Sequence, residues 1–255
     1  MTPVWQTQLS DWRGLTLAQL EEADALQTRM DRKYIVDELT LAAALATLTT
    51  GSVLEVGGTR EQSYSSTYFD TPQLTSYRAA AHRRPRRFKV RTRSYLDTNE
   101  HAIELKLRSA RGATVKHREW LGETVTGILG EEARRFLTSF PDVAGEVAEL
   151  VPSLTTTYRR TTLVMPNGRV TIDADVRATL GSASVSFAPA LIVETKSLHH
   201  AGEADRALWA LGVRPSSVSK YCTSLAALNP DLPSNQWART LRRHLDTPVA
   251  AAVAA

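Results

Sequence analysis

The sequence predicts an α+β fold: an antiparallel β-tunnel, a closed or nearly closed barrel of about eight strands, with helices packed outside. Three observations carry this expectation. Between Arg86 and Trp120 three short segments alternate with period two, and turn-forming residues separate them. The same parity of charge recurs in later segments, so basic residues fall on one face of six or more strands. The opposite face is apolar, and amphipathic segments elsewhere in the chain can cover it.

Taken in order, residues 1–15 read as a loose lead-in, 16–230 as one domain, and 231–255 as a C-terminal helix and a frayed tail. Thr16 to Met30 has helical apolar spacing, with an acidic opposite face. Asp31 to Val36 is a short strand with Lys33 opposite Tyr34 and Val36. Asp37 can cap a helix over 38–49. Glu61 to Asp70 is β-rich, and Thr71-Pro72 starts a short helix through about Ala80. In the central meander, Asp97 to Asn99 and Ala110 to Gly112 supply the turns. A helix over 131–139 is stopped by Pro141. Residues 155–165 and 169–177 form a hairpin around Pro166-Asn167-Gly168. Leu191 to Ser197 is a further strand, and 202–211, 217–228 and 235–245 read as helices.

Composition sets limits. The chain has 255 residues, a net charge of +4 and a single cysteine, Cys222. That excludes an internal disulfide framework and a Cys-rich zinc site. No apolar run approaches the roughly 20 residues needed to span a bilayer. The N-terminus lacks the basic start and apolar core of a signal peptide. A cytoplasmic protein with no membrane segment of its own is expected.

The charge is unevenly placed. Lys33, Arg87, Lys89, Arg91, Arg93, Lys106, Arg108, Lys116, Arg118, Arg160, Arg169, Arg177 and Lys196 fall on the polar strand faces, against Glu104, Asp173, Asp175 and Glu194. Unit charges about 6 Å apart at an effective dielectric of about 20 repel by roughly 3 kcal/mol. Such a face therefore needs water or an anion. Arginine suits bidentate phosphate contacts and lysine supplies point charges. The carboxylates could hold Mg²⁺ or Mn²⁺, which prefer oxygen and bridge to phosphate oxygens. Tyr34, Tyr68 and Trp120 read as packing. The aromatics do not interleave with the basic face as a stacking platform would require, which argues against nucleic acid. Arg108 and Arg177 lie near strand ends and read as solvated.

The segments DRKYIV, STYFDT, FKVRTRSY, IELKLR, TVKHREW, YRRTTL, RVTIDADV, IVETKS and SVSKY follow one another in order from 31 to 221. In that order and spacing the chain resembles the VTC domain, the catalytic domain of polyphosphate polymerases, within the triphosphate tunnel metalloenzymes of the CYTH-like group. The resemblance implies a tunnel with basic walls. It implies that Lys33, Arg91, Arg93, Lys106, Lys116, Arg160, Arg169, Lys196 and Lys220 bind phosphate. It implies a metal on Glu194, with Glu104 and Asp175 as further candidate ligands. Arg91, Arg93, Lys106, Arg160, Arg169 and Glu194 are the expected catalytic set. Ser217 replaces the first lysine of a family KxxK pair. Eukaryotic relatives work in membrane complexes, so a membrane-protein partner is compatible with the reading.

The function implied is transfer of the terminal phosphoryl group of ATP to a growing polyphosphate chain, dependent on Mn²⁺ or Mg²⁺. Hydrolysis of tripolyphosphate or a nucleoside triphosphate on the same fold is the alternative. A non-catalytic polyphosphate or nucleotide sensor is a third reading.

Overall fold

In the computed structural model, residues 2–23, 30–48, 51–109, 114–122, 127–166, 168–197, 200–246 and 249–250 are described. The elements run α1 Val4–Thr7, β1 Arg13–Leu15, α2 Leu17–Ala23, β2 Met30–Val36, α3 Glu38–Leu45, β3 Ser52–Leu54 and β4 Gln62–Asp70. There follow α4 Thr75–Ala81, β5 Arg87–Tyr95, β6 Glu100–Arg108, β7 Thr114–Leu121, α5 Glu131–Thr138, β8 Val151–Met165 and β9 Gly168–Leu180. The chain ends with β10 Ala183–Ser186, β11 Leu191–Ser197, α6 Glu203–Ala210, α7 Lys220–Leu228, α8 Ala238–His244 and β12 Val249–Ala250. No helix among the described residues is long and apolar enough to cross a membrane.

The α+β class holds, but the ring of strands does not close. The main hydrogen-bonded order is β12-β10-β9-β8-β4-β5-β6-β7, and β7 pairs only with β6 among the described residues. The expected closed tunnel is therefore an open path of strands. Alternation along each strand cannot reveal this, because closure depends on stagger between strands. Nor is pairing wholly antiparallel, since β1 and β3 run parallel.

The residues divide into two units. Unit 1 comprises Met1–Gln62, Tyr158–Val176 and Phe187–Val218; unit 2 comprises Ser63–Thr157, Arg177–Ser186 and Ser219–Ala255. The long strands β8 and β9 each contribute to both.

In unit 1, β11 lies between β2 and the first half of β9, antiparallel to both. Tyr34, Val193 and Ile172 stand side by side across these strands and enter a core with Trp5, Trp12, Leu41 and Leu208. The lead-in expected to be loose is part of this core. Trp5, Leu9 and Trp12 are buried, and β1 pairs with β3. Helix α3 starts where Asp37 accepts a hydrogen bond from the Thr40 amide at 2.7 Å, as its sequence predicts. Asp205, fully buried, fixes α6 to the sheet. It accepts from the Tyr34 hydroxyl at 2.6 Å, the Thr195 hydroxyl at 2.5 Å and the Gly202 amide at 2.8 Å.

In unit 2, β4, β5, β6 and β7 form the expected antiparallel meander. Phe88, Val90, Ile103 and Leu105 face α5 and bury Leu137 with it. A second core joins Tyr68, Tyr77, Tyr221 and Trp237. Helix α4 begins later than the sequence suggests, because Asp70 organises its start. The buried Asp70 carboxylate accepts from the amides of Ser76 and Tyr77, each at 2.8 Å, and from the Tyr221 hydroxyl at 2.7 Å. The tail expected to fray supplies β12, whose Ala250 and Val249 pair with Ala183 and Ser184. The turn residues 110–112 and Asn167 lie outside the described residues.

Candidate functional site

The polar face of the meander in unit 2 is a lattice of cations around the buried carboxylate of Glu104. Cross-strand register sets three rows: Lys89, Lys106 and Lys116; Arg91, Glu104 and Arg118; Arg93, Ala102 and Trp120. Directly opposed residues on neighbouring strands share a face, so parity alone brings these together. Glu104 is 3% exposed and central. Its carboxylate meets Arg91 at 2.5 Å, Lys116 at 2.6 Å and Arg93 at 3.4 Å. Burial alone would raise its pKa. Arg91, Arg93 and Lys116 outweigh that and hold it well below the usual carboxylate range. Lys116 responds in the opposite sense. Desolvation and the two arginines outweigh Glu104 and pull its ammonium down from 10.5 to about 7. Water reaching 46% of the side chain offsets part of that pull.

Aromatic rings stand on the same face. Arg91 donates to the Tyr68 hydroxyl at 3.0 Å and lies over its ring at 5.7 Å. Lys89 donates to the Ser219 hydroxyl, the N-cap of α7, at 3.0 Å and lies 5.6 Å over Tyr221. Burial would raise the Tyr68 pKa, but Arg91, Lys89 and Lys220 together lower it, which places the Lys220 charge beside this ring. Arg93 lies over Tyr64, and Arg118 lies 4.6 Å over Trp120. The expectation that aromatics would not interleave with the basic face is thus incorrect. Tyr95 and Trp120 have the parity of Arg93 and Arg118, a signal the sequence carried.

In unit 1 the corresponding cluster surrounds Glu194. Register places it opposite Lys33 on β2 and Thr171 on β9, while Lys196 lies opposite Asp31 and Arg169. Lys33 approaches Glu194 at 3.4 Å, and Lys196 pairs with both Glu194 and Asp31. Burial opposes ionisation of Glu194, yet Lys33, Lys196 and Arg160 hold it well below the usual carboxylate range. Arg160 grips the buried Asp173 through two nitrogens at 2.6 and 2.9 Å. This bidentate pair fixes the guanidinium plane.

Two predicted residues stand elsewhere. Asp175, expected to share a face with Asp173, has φ of 51°. That left-handed residue interrupts the alternation of β9, and Asp175 pairs instead with Arg159, which also binds Glu61. It is exposed and separate from the Asp173–Arg160 pair. Ser217 is exposed in the stretch before α7. Lys220 opens α7, and Lys106 is exposed on β6.

The donor set fits a divalent ion shared with a substrate rather than one caged by protein. Among the described residues no three His, Cys, Asp or Glu side chains cluster to hold a metal. Glu194 offers a carboxylate, and the buried Thr171 hydroxyl opposite it has no hydrogen-bond partner among the described residues. One or two protein oxygens completed by water and phosphate is how Mg²⁺ is commonly held. Glu104 fits less well, since its three cations would have to give way.

Comparison with known proteins gives a family match over most of the chain: the VTC domain, over residues 28–229. No curated protein matches. Among solved structures, a proposed adenylyl cyclase from Hippeastrum with a dominant triphosphatase activity is similar at TM-score 0.47 and 15% identity, covering 77% of this chain and 94% of its own. A proposed adenylate cyclase from Bacillus halodurans gives 0.44 and 15%, covering 72% and 88%. A protein from Pyrococcus horikoshii OT3 gives 0.44 and 12%, covering 76% and 93%. With scores this low, family membership rests on the sequence match.

Proposed function

Because the chain belongs to the VTC domain family, we propose that it is a polyphosphate polymerase, transferring the terminal phosphoryl group of ATP to a growing polyphosphate chain. The observation that supports this most is the unit 2 face. Arg91, Arg93, Lys106, Lys116 and Arg118 share it, and its buried carboxylate, Glu104, is bound to three of them. Cations outnumber carboxylates on this face, which suits an extended polyanion.

Phosphoryl transfer asks a protein chiefly for positioning and charge neutralisation. The arginines can take phosphate oxygens pairwise, and the lysines act as point charges. Glu194, with Thr171 beside it, would hold Mg²⁺ or Mn²⁺ together with phosphate oxygens. Such an ion, when bound, offsets charge on the transferring group. Lys33 and Lys196 orient the Glu194 carboxylate. No side-chain nucleophile is required. A terminal oxygen of the growing chain attacks the γ-phosphorus, the bond to the β-phosphate oxygen breaks, and ADP leaves.

Incubation of the purified protein with ATP and Mn²⁺, followed by gel electrophoresis and phosphorus NMR, tests the reading. Long chains are expected. Orthophosphate alone would make it a hydrolase, and unchanged ATP would make it a sensor.

A further inference from the structure

At one end of the unit 2 face the cations give way to aromatic rings. Tyr64, Tyr95 and Trp120 run across β4, β5 and β7. Tyr64 and Tyr95 are directly opposed, with ring centres 5.2 Å apart, and Tyr95 lies 5.3 Å from Trp120. Exposure rises along the row: Tyr64 is 7% exposed, Tyr95 is half-buried, and Trp120 is 42% exposed. Between Arg93 and Trp120 the central strand carries only Ala102, so no large side chain rises there. Arg118 lies over the Trp120 ring and reaches the Tyr95 hydroxyl at 3.5 Å. A core contact would bury the tryptophan. Here the ring is held in place and left open.

We infer that Trp120, with Tyr95 and Arg118, is a stacking site for the base of a nucleoside triphosphate whose phosphates lie along Arg91, Arg93 and Lys116. This rests on the phosphate-binding reading above and adds to it the part of the ligand that phosphate cations cannot recognise. The spacing suits it. Lys116, Arg118 and Trp120 alternate on one face of β7, so Trp120 and Lys116 lie about 14 Å apart along the strand. That is the scale of an extended nucleoside triphosphate. A base has a π face whatever its identity, so the site would take purines and pyrimidines alike. A guanidinium parked on the tryptophan is a chemically matched placeholder, since arginine stacks on aromatic faces as a base does.

The test compares ATP, CTP and tripolyphosphate as ligands of the wild-type protein, Trp120→Ala and Trp120→Phe by calorimetry without metal. Trp120→Ala is expected to weaken ATP and CTP about tenfold or more, as removal of one stacked base contact does, and to change tripolyphosphate less than twofold. Trp120→Phe should restore most of the loss. ATP should quench a component of tryptophan fluorescence that tripolyphosphate leaves alone and that Trp120→Phe lacks. Should Trp120→Ala fail to fold, the ATP quench seen in the wild-type protein and lost in Trp120→Phe decides. Equal weakening of all three ligands, or of none, overturns the stacking site and leaves the phosphate reading standing. Failure of tripolyphosphate to bind the wild-type protein overturns both.

Discussion

Glu194 and Lys116 show how one charge can serve a site in two ways. Glu194 neutralises Lys33 and Lys196, and in the proposed reaction it would also hold a metal. Glu194→Gln keeps the shape and removes the charge. Without ligand the variant should melt at a lower temperature, because two ammonium groups lose their counter-ion. Tripolyphosphate should bind it as well or better and restore the melting point. Metal-dependent turnover should fall about a hundredfold or more. Normal turnover with Mn²⁺ would remove Glu194 from the metal site. Lys116, pulled down to about 7, is partly neutral at pH 8, and an incoming phosphate favours its charged form. Tripolyphosphate binding at pH 8 should therefore take up a fraction of a proton. Calorimetry in buffers of different ionisation enthalpy measures that uptake, and Lys116→Met should abolish it. For stability the two depressed groups, Lys116 and Glu104, act in the same sense, each contribution growing as pH rises through its own window. The depressed lysine stabilises the fold progressively as pH rises from about 7 to 10.5. Depressed Glu104 contributes above the normal carboxylate pKa, and that contribution is lost as pH falls through its folded value.

At the level of strands and helices, alternation was the most informative signal. Lys33, Arg91, Arg93, Glu104, Lys106, Lys116, Lys196 and Glu194 could be placed on polar faces because a strand turns its side chains strictly by twos. The same rule fails at Asp175, where a positive φ shifts the count by one and nothing in the sequence announces it. It also puts Tyr95 and Trp120 on the polar face, against the packing role that an aromatic ring suggests for Trp120. The buried lead-in also carried a signal: Trp5, Leu9 and Trp12 are spaced by four and three, one helical stripe. Gly168, the first residue of β9, has a role that only the fold reveals. A Cβ there would collide with the main-chain oxygen of Lys196. Gly168→Ala should push β9 from β11 and cost about 1–3 kcal/mol. Chemical denaturation would measure the loss, and a tripolyphosphate affinity that falls with it would show that the β9–β11 junction sets the position of Lys196.

For the molecule as a whole, two properties escape a linear reading. The chain passes repeatedly between its two units, so neither corresponds to a continuous stretch that composition or a linker could mark. Among the described residues the strand path also ends at β7 instead of closing. An end strand shows a row of unpaired amides and carbonyls, which invites a second copy to add its own strand. Lys116 and Arg118 on one side of β7, and Glu119 on the other, are all exposed, and charge on an edge strand would oppose its pairing with a second copy. The proposed product would cancel that protection, because a long polyphosphate neutralises the cations that guard the edge. Light scattering at low salt, with long-chain polyphosphate added below saturation, should show association that reverses at high salt. Lys116→Glu should lessen it. The solubility of this protein would then depend on how far its own product has grown.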